Sequence, residues 1–279
     1  MKKYPLVSVV IATKNEEKNI VRCLESIKNQ SYPAEKIEVI VVDNNSGDKT
    51  VTIVKKYTKN VYNGGPERSS QRNLGIRKAK GQYLLYLDAD MTISPKLIEF
   101  AVGKFQTTNY LAFYIPELIL GQSFLAKVRN FERSFYNATS IDAVRFAKTA
   151  CLKKIGGFDP RLTGPEDWDL DKRIRQLGKV CLLKADLAVI YHNESGFSLK
   201  KYLIKKNYYT SSFKTYIKKW GTDDPDIKKQ FGFFYRFCGV FIENKKWKKL
   251  ALHPFLTLSI IYLRLFVGLV YLKSDSYVK

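Results

Sequence analysis

Short apolar runs separated by polar turns dominate the first part of the chain. Residues 6–12, 36–42 and 82–87 are rich in β-branched, aromatic and leucine side chains, which is typical of strands buried in a sheet. Between the first two runs, apolar residues recur at helical spacing from Ile20 to Ile27 and predict a helix with one buried face. Strands that alternate with helices in this way predict an α/β fold built on an open sheet.

Carboxylates stand where the second and third apolar runs end. Asp43 follows the second run, and Asp88 and Asp90 follow the third with one alanine between them. Open α/β sheets bind ligands at the carboxyl ends of their strands. Two acids this close repel each other unless a cation lies between them, and a divalent ion with phosphate oxygens in its shell meets that need. The spacing predicts a metal held against a nucleotide diphosphate; the alternative is that Asp88 ends a strand and Asp90 begins a turn.

Five motifs in a fixed order resemble the family 2 glycosyltransferases of GT-A fold. They occupy residues 8–20, 41–50, 67–91, 155–174 and 191–194. The resemblance implies a Rossmann-like, nucleotide-sugar-binding open mixed sheet flanked by helices. It further implies an inverting hexosyltransferase of the membrane-associated type, which uses polyprenyl-linked acceptors in polysaccharide or glycolipid biosynthesis. Asn44 and Asn45 depart from the Asp-Gly pair more often found after the second strand, which bears on the choice of donor.

The resemblance also assigns residues to the binding of a UDP- or GDP-linked sugar. The donor-binding residues it implies are Thr13, Asn15, Glu16, Asp43, Arg72 and Asp88. Asp90 and His192 are the implied ligands of a divalent metal, Mg²⁺ or Mn²⁺, whose preferred ligands include carboxylate and imidazole. Helix capping is the alternative role for Asn15 and Glu16, and a purely structural role is the alternative for His192.

A second acid pair, Glu166 and Asp167, opens a predicted helix over residues 168–177. Acids at a helix N-terminus also stabilise the helix dipole, which is the alternative role. Transfer with inversion needs one base that deprotonates the acceptor on the face opposite the departing diphosphate. The resemblance makes Asp167 that base and Glu166 an orienting or acceptor-contacting partner. Arg145, in a strand-like stretch over residues 141–147, and Trp168 are the predicted acceptor contacts.

Composition and cysteine spacing bound the organisation of the chain. With 279 residues, 45% of them hydrophobic, and without a Pro/Gly/Ser-rich linker, the sequence predicts one catalytic domain over residues 1–197 and an appended segment over residues 198–279. The four cysteines lack C-x-x-C spacing, which predicts reduced core residues and a cytoplasmic setting. The first residues lack the apolar stretch of a signal peptide.

The net charge of +22 is concentrated near the end of the chain, where residues 199–250 contain 14 Lys/Arg and 4 Asp/Glu. Aromatic residues at helical spacing between these lysines predict a basic helix that binds an anionic membrane surface. The alternative is a helix packed on the core with a solvated lysine face. The following residues 250–272 are long enough to span a bilayer, but His253, Pro254 and Arg264 interrupt them.

Two interpretations of residues 250–272 therefore remain open. They form helices that are broken at Pro254 and lie in the membrane interface, or they form a single transmembrane helix. In both cases we expect a lipid-linked acceptor, a polyprenyl phosphate or a lipid-linked saccharide, at the cytoplasmic face of the cell membrane. A pI of about 9.7 also raises nucleic-acid binding as a rival. That rival gives the clustered acids no role, so we expect no nucleic-acid partner. A catalytically silent membrane adaptor is the second rival.

Overall fold

The computed structural model describes residues 4–194 and 198–273. The first part of the chain runs in the order β1 (Val7–Thr13), α1 (Ile20–Lys28), β2 (Ile37–Asp43), α2 (Thr50–Val54), β3 (Val61–Asn63), α3 (Arg68–Lys78), β4 (Tyr83–Asp88), β5 (Met91–Ile93), α4 (Leu97–Thr107), β6 (Ala112–Tyr114), β7 (Glu117–Leu120), α5 (Phe124–Arg133), β8 (Phe146–Lys148), α6 (Thr149–Lys154), α7 (Glu166–Leu177), β9 (Val180–Leu182) and β10 (Ile190–Asn193). The remainder is helical and comprises α8 (Leu199–Thr210), α9 (Phe213–Trp220), α10 (Pro225–Phe231), a π-helical segment (Tyr235–Gly239), α11 (Val240–Ile242), α12 (Trp247–Leu252) and α13 (Pro254–Lys273).

The larger sheet is open and mixed, as the sequence predicts. Its strand order is β3-β2-β1-β4-β8-β6-β9. Strands β3, β2, β1 and β4 are parallel, whereas β8 runs antiparallel to β4 and β6. A smaller sheet of order β5-β10-β7 carries His192 on its central strand, β10. From β1 the chain continues to β2 on one side, and from β4 its next strand in this sheet is β6 on the other side. The strand order therefore reverses between β1 and β4, and such sheets bind ligands at this switch point.

Helices cover both faces of this sheet, which explains why its central strands are apolar throughout. Every residue of β1 is buried. Val9 and Ile11 belong to the core on the side of α1, while Val10 packs on the opposite side. There Gly75 of α3 lies directly against the side chain of Val10, where a Cβ would collide. The absence of a side chain at Gly75 therefore sets how closely α3 approaches the strand ends.

Some predicted elements are shorter than expected. The apolar stretch before His192, residues 187–191, is expected to be a strand, but the strand begins only at Ile190, because Val189 hydrogen-bonds with Ser94 in a loop. The stretch 141–147 forms a strand only from Phe146, since Asp142 accepts a hydrogen bond from the backbone of Ala138 and closes a turn. The cysteine prediction is wrong for one residue: Cys238 is exposed.

The predicted basic helix is divided into α8 and α9. Ser212 separates them because its hydroxyl exchanges hydrogen bonds with the backbone of Thr163, at 2.9 and 2.8 Å. The chain breaks again at His253, and α13 starts at Pro254, which is favoured in a first helical turn. Helix α13 packs against α5 and α8 through a stripe formed by Ile260, Leu263, Arg264 and Val267. The predicted boundary at residue 197 lies outside the described residues.

Candidate active site

The ends of β1, β2 and β4 lie side by side at one edge of the larger sheet. In the strand register Thr13 is opposite Asp43, and Ala12 is opposite Asp88. Gln71 of α3 donates from Nε2 to carbonyl oxygens at the ends of β1 and β2, at 2.9 and 2.8 Å, and so fixes the helix over this edge. The hydroxyl of Thr13 is buried and has no hydrogen-bond partner among the described residues. Three predicted donor-binding residues thus meet where α/β sheets bind ligands.

Asn15 joins the turns that follow β1 and β2. Its backbone is left-handed, with φ of 54°, a conformation that asparagine tolerates. Its Oδ1 accepts a hydrogen bond from the backbone of Gly47 at 2.8 Å, and its own N–H donates to Ser46 Oγ at 2.8 Å. Asp43 accepts from the backbone N–H of the same serine at 2.8 Å. Because α1 begins only at Ile20, Asn15 does not cap a helix; it holds two turns together beside the strand ends.

Negative charge is concentrated next to these turns. Glu16 Oε2 accepts a hydrogen bond from Asn19 at 2.7 Å. Burial raises the pKa of Glu16, and the charges of Asp90 and Asp88 raise it further, against the lowering effect of the bond from Asn19. A carboxyl whose pKa is raised by neighbouring acids lies where a bound cation would be favourable.

Asp90 and His192 come together although 102 residues separate them. Strand β10 pairs with β5 so that His192 lies opposite Met91, and His192 Nε2 is 2.8 Å from Asp90 Oδ2. Burial would lower the pKa of the imidazole, but Asp90 outweighs it and raises that pKa. Within the described residues, the buried Asp90 Oδ1 lacks a hydrogen-bond partner, which fits a metal ligand.

These two residues alone do not make a complete metal shell. Residues 4–194 and 198–273 contain no group of three or more His, Cys, Asp or Glu residues arranged to hold an ion. A divalent ion at Asp90 and His192 would therefore need oxygens from a ligand, and a diphosphate supplies them. The residues fit a metal that is bound together with a nucleotide diphosphate.

Arg72 connects the end of β4 with the second acid pair. Its guanidinium is fully buried and donates from Nη2 to Asp88 Oδ1 at 2.7 Å and from Nη1 to Asp167 Oδ1 at 2.8 Å. Its Cζ lies 5.0 Å from the ring centroid of Tyr86 and 5.2 Å from that of Phe158, and the two rings contact each other edge to face. A planar fork held in this way fixes the separation and orientation of both carboxylates.

Arg68 is a site residue that the sequence prediction missed. It lies one helical turn before Arg72, and the i, i+4 spacing of two arginines on one face was the available signal. Its Nη2 is 3.0 Å from Glu166 Oε1 and 3.1 Å from the hydroxyl of Tyr209, while its Nη1 is 3.6 Å from Asp88. Burial opposes ionisation of Asp88, but Arg72 and then Arg68 outweigh it, so the pKa of Asp88 is held well below its ordinary value.

Glu166 and Asp167 have different surroundings although they are adjacent. Glu166 is buried, and its Oε2 is without a hydrogen-bond partner in the part of the chain that the structure describes. Burial raises its pKa, the neighbouring Asp167 raises it further, and Arg68 acts in the opposite direction. Asp167 is partly accessible, with 20% of its side chain exposed. Two acids in contrasting environments are suited to different roles.

Asp167 opens onto a cavity of about 220 Å³. Both predicted acceptor contacts, Arg145 and Trp168, line this cavity. Arg145 Nη1 is 3.9 Å from Asp167 Oδ2, and its Nε donates to Glu117 Oε1 at 2.9 Å. Burial opposes ionisation of Glu117, but Arg133 and Arg145 outweigh it and lower its pKa to about 2. The structure thus brings the predicted base and the predicted acceptor contacts to one space.

Helix α13 is joined to α5 by a buried carboxylate. Glu132 Oε1 accepts from Arg264 Nε at 3.1 Å, and its Oε2 is 2.5 Å from Arg129 Nη1. Arg264 therefore faces the protein, although it lies in the middle of an apolar helix. Burial opposes ionisation of Glu132, but Arg264 and Arg129 outweigh it and lower its pKa from 4.5 to about 2.

Replacement of Glu132 with Gln should make the free energy of unfolding less dependent on pH in the acid range. A carboxyl whose folded pKa is lowered stabilises the fold above pH 4.5, and this contribution is lost as the pH falls towards 2. We expect Glu132→Gln to lower the free energy of unfolding by about 3 kcal/mol at pH 7, with a smaller difference from the unmodified protein at each step below pH 4.5. Urea unfolding at pH 7, 4 and 3 measures this. The exposed Glu35→Gln is the control; an equal deficit for Glu132→Gln at every pH would contradict the assignment.

The open mixed sheet and the acids at its strand ends define the GT-A class of folds. The chain belongs to the family described as Glycosyl transferase family 2, whose sequence profile matches residues 8–150, more than half of the chain. It is 28% identical over 204 residues to the probable glycosyltransferase YdaM of Bacillus subtilis (strain 168), which covers 64% of this chain and 48% of that protein. It is 30% identical over 211 residues to the uncharacterized glycosyltransferase RT0209 of Rickettsia typhi, covering 74% and 65%. The chain thus spans about half to two thirds of these relatives.

Solved structures share the fold over nearly the whole chain. The mannosyltransferase PcManGT from Pyrobaculum calidifontis, in complex with GDP-Man and Mn²⁺, superposes with a TM-score of 0.68 at 19% identity and covers 98% of this chain and 88% of its own. S. aureus TarS 1–349 in complex with UDP-GlcNAc superposes with a TM-score of 0.57 at 18% identity, covering 98% and 89%. At these identities the likeness shows the fold alone.

Proposed function

We propose that this protein transfers a hexosyl group, with inversion, from a UDP- or GDP-linked sugar to a lipid-linked acceptor. The observation that carries the proposal is the Arg72 bridge, which joins Asp88 at the end of β4 to Asp167 at the cavity. A donor bound at the strand ends and an acceptor in that cavity would then lie on either side of the Arg72 guanidinium. Membership of the family supports the reaction class.

In this proposal Asp167 is the general base. Its carboxylate accepts the proton of the acceptor hydroxyl, and the resulting oxygen attacks the anomeric carbon on the face opposite the departing diphosphate. Arg72 orients the carboxylate, and Glu166, buried beside it and held by Arg68, is its orienting partner. Donor contacts come from Thr13, Asn15, Glu16, Asp43, Arg72 and Asp88. When bound by Asp90 and His192, Mg²⁺ or Mn²⁺ would offset the charge that develops on the diphosphate.

The segment after residue 197 is proposed to attach the catalytic domain to the cytoplasmic face of the cell membrane. Among the described residues, one helix is long and apolar enough to cross a bilayer, over Pro254–Tyr271, and most of that stretch is not buried in the protein. Its inner stripe, which includes Arg264, contacts α5 and α8, while its outer face exposes Phe255, Leu258, Tyr262, Leu265, Phe266 and Leu269. A helix with one face on the protein and one apolar face exposed supports monotopic attachment in the plane of the interface.

The first test is the melting temperature of the protein with UDP and GDP, each with Mn²⁺, Mg²⁺ or no metal. Selective binding to the native state should raise the melting temperature by about 5 °C at a nucleotide concentration roughly 100 times Kd. We expect the rise with one nucleotide, only with metal, and not in Asp90→Ala. The exposed Asp223→Ala is the matched control and should keep the rise. A folded protein that responds to neither nucleotide would contradict the proposed function.

A further inference from the structure

Helix α8 belongs to the C-terminal segment, but it is tied to the turns that precede both helices of the candidate site. Before α3, the carboxylate of Glu67 accepts hydrogen bonds from the hydroxyls of Tyr208 and Thr163. Before α7, the backbone of Thr163 exchanges hydrogen bonds with Ser212, two residues after the end of α8. Helix α8 therefore holds together the two turns from which α3 and α7 begin.

Tyr209 of α8 reaches into the candidate site itself. It lines the cavity beside Asp167, and its hydroxyl accepts a hydrogen bond from Arg68 Nη2 at 3.1 Å. The same nitrogen donates to Glu166 Oε1 at 3.0 Å, and Arg68 Nη1 is 3.6 Å from Asp88 Oδ2. One guanidinium thus contacts an acid from β4, an acid from α7 and a phenol from the C-terminal segment.

The close approach of Tyr209 depends on Gly164, two residues before Glu166. A Cβ at Gly164 would lie 2.7 Å from Tyr209 Cβ, which is closer than two carbon atoms pack. The backbone of Gly164 is also in the region that favours glycine, with φ of 102°. Tyr209 therefore packs directly against the turn that leads to the second acid pair.

Arg68 needs such an anchor more than Arg72 does. The side chain of Arg72 is fully buried, whereas 33% of the Arg68 side chain is exposed. An arginine in partial contact with water has many rotamers available, and each fixed hydrogen bond removes some of that freedom. The phenol oxygen of Tyr209 is uncharged, so it directs the guanidinium of Arg68 without replacing Glu166 as its ionic partner.

We infer that Tyr209 is a positioning residue of the candidate active site and acts through Arg68 on Glu166. The inference rests on the proposed function, and it gives the C-terminal segment a part in the reaction besides attachment to a membrane. Without the hydroxyl of Tyr209, Arg68 keeps its charge but loses the acceptor that fixes its direction. Glu166 then loses its fixed partner beside Asp167, and a displacement of about 1 Å in such a group lowers turnover by up to about 10²-fold.

Tyr209→Phe tests the inference, because it removes one oxygen and keeps the ring against Gly164. Turnover of UDP-glucose and GDP-mannose is measured with Mn²⁺ and a membrane extract as the acceptor source, and we expect kcat to fall by roughly tenfold. KM for the sugar nucleotide and the melting-temperature rise with nucleotide should stay unchanged, since Asp88 keeps its hydrogen bond with Arg72. Tyr57→Phe is the matched control, because that hydroxyl also bonds a charged side chain, a carboxylate on α1, and its loss should leave kcat unchanged.

A double-variant cycle shows whether the effect passes through Arg68. Arg68→Lys keeps the positive charge but lacks the planar fork that binds Glu166 and Tyr209 together. We expect Arg68→Lys to lower kcat at least as much as Tyr209→Phe does. Adding Tyr209→Phe to Arg68→Lys should then change kcat by less than about twofold, since the two residues act as one unit.

An unchanged kcat in Tyr209→Phe would overturn the inference, as would losses in kcat that multiply in the double variant. A tyrosine with a purely structural role would lower the melting temperature and leave kcat per folded molecule unchanged. The nucleotide-dependent rise in melting temperature is measured on the same samples. If that rise is present and Tyr209→Phe keeps its kcat, the inference fails and the proposed transferase stands. If neither nucleotide produces a rise, the proposed function fails and the inference fails with it.

Discussion

Replacement of Asp167 with Asn is expected to lower kcat by between about 10² and 10⁴-fold, the range for loss of a general base. Asparagine is nearly isosteric and can still accept a hydrogen bond from Arg72, so the geometry of the bridge is retained. It cannot take the proton of the acceptor hydroxyl at neutral pH. The melting-temperature rise with nucleotide and metal should persist, because Asp88 and Asp90 are unchanged. Turnover of the donor sugar with a membrane extract as the acceptor source measures the effect.

Asp169→Asn, two residues further along α7, is the control for this experiment. Asp169 is fully buried and pairs with Arg173 and Lys219, away from the cavity beside Asp167. We expect it to lower stability while the activity per folded molecule stays near that of the unmodified protein. Asp167→Asn should show the reverse pattern. A loss in Asp167→Asn below about tenfold would contradict a general base, since that is less than such groups contribute.

Replacement of Arg72 with Met is expected to destabilise the fold by about 4 kcal/mol and to abolish turnover, because it leaves two carboxylates without their common partner. Asp88 and Asp167 have 19% and 20% of their side chains exposed, so water compensates only in part for the lost guanidinium. Methionine keeps the apolar contacts with Tyr86 and Phe158, which confines the change to the charge. Urea unfolding at pH 7 measures the loss.

Arg161→Met is the matched control, because the Arg161 side chain is 69% exposed in its pair with Asp159. Exposed pairs contribute roughly 0–1 kcal/mol, so this variant should remain close to the unmodified protein. The double variant Arg72→Met with Asp167→Asn should be less destabilised than the sum of the single variants, since one unpaired charge is then absent. Additive losses would show that the bridge does not couple the two acids.

Much of the fold could be predicted from local pattern. The three apolar runs became β1, β2 and β4, each displaced by one residue, so that Thr13, Asp43 and Asp88 are the last residues of their strands. Such runs are predictable because strands buried on both faces need apolar residues throughout. The start of a strand was harder to predict where a backbone N–H bonds to a side chain in a loop, as that of Val189 does to Ser94. Local composition does not show such a distant partner.

The candidate site divides in the same way. The sequence by itself determined the acids at strand ends and the pair Glu166–Asp167 at a helix start, since strand ends and turns follow from local apolar and polar order. Only the tertiary structure decided that Arg68 reaches Glu166, 98 residues away, and that Arg264 reaches Glu132 across 132 residues. It also decided that Arg236 and Lys206 face one cavity with Asp167. These contacts depend on how distant helices pack against one another, and no short stretch of the sequence specifies that packing.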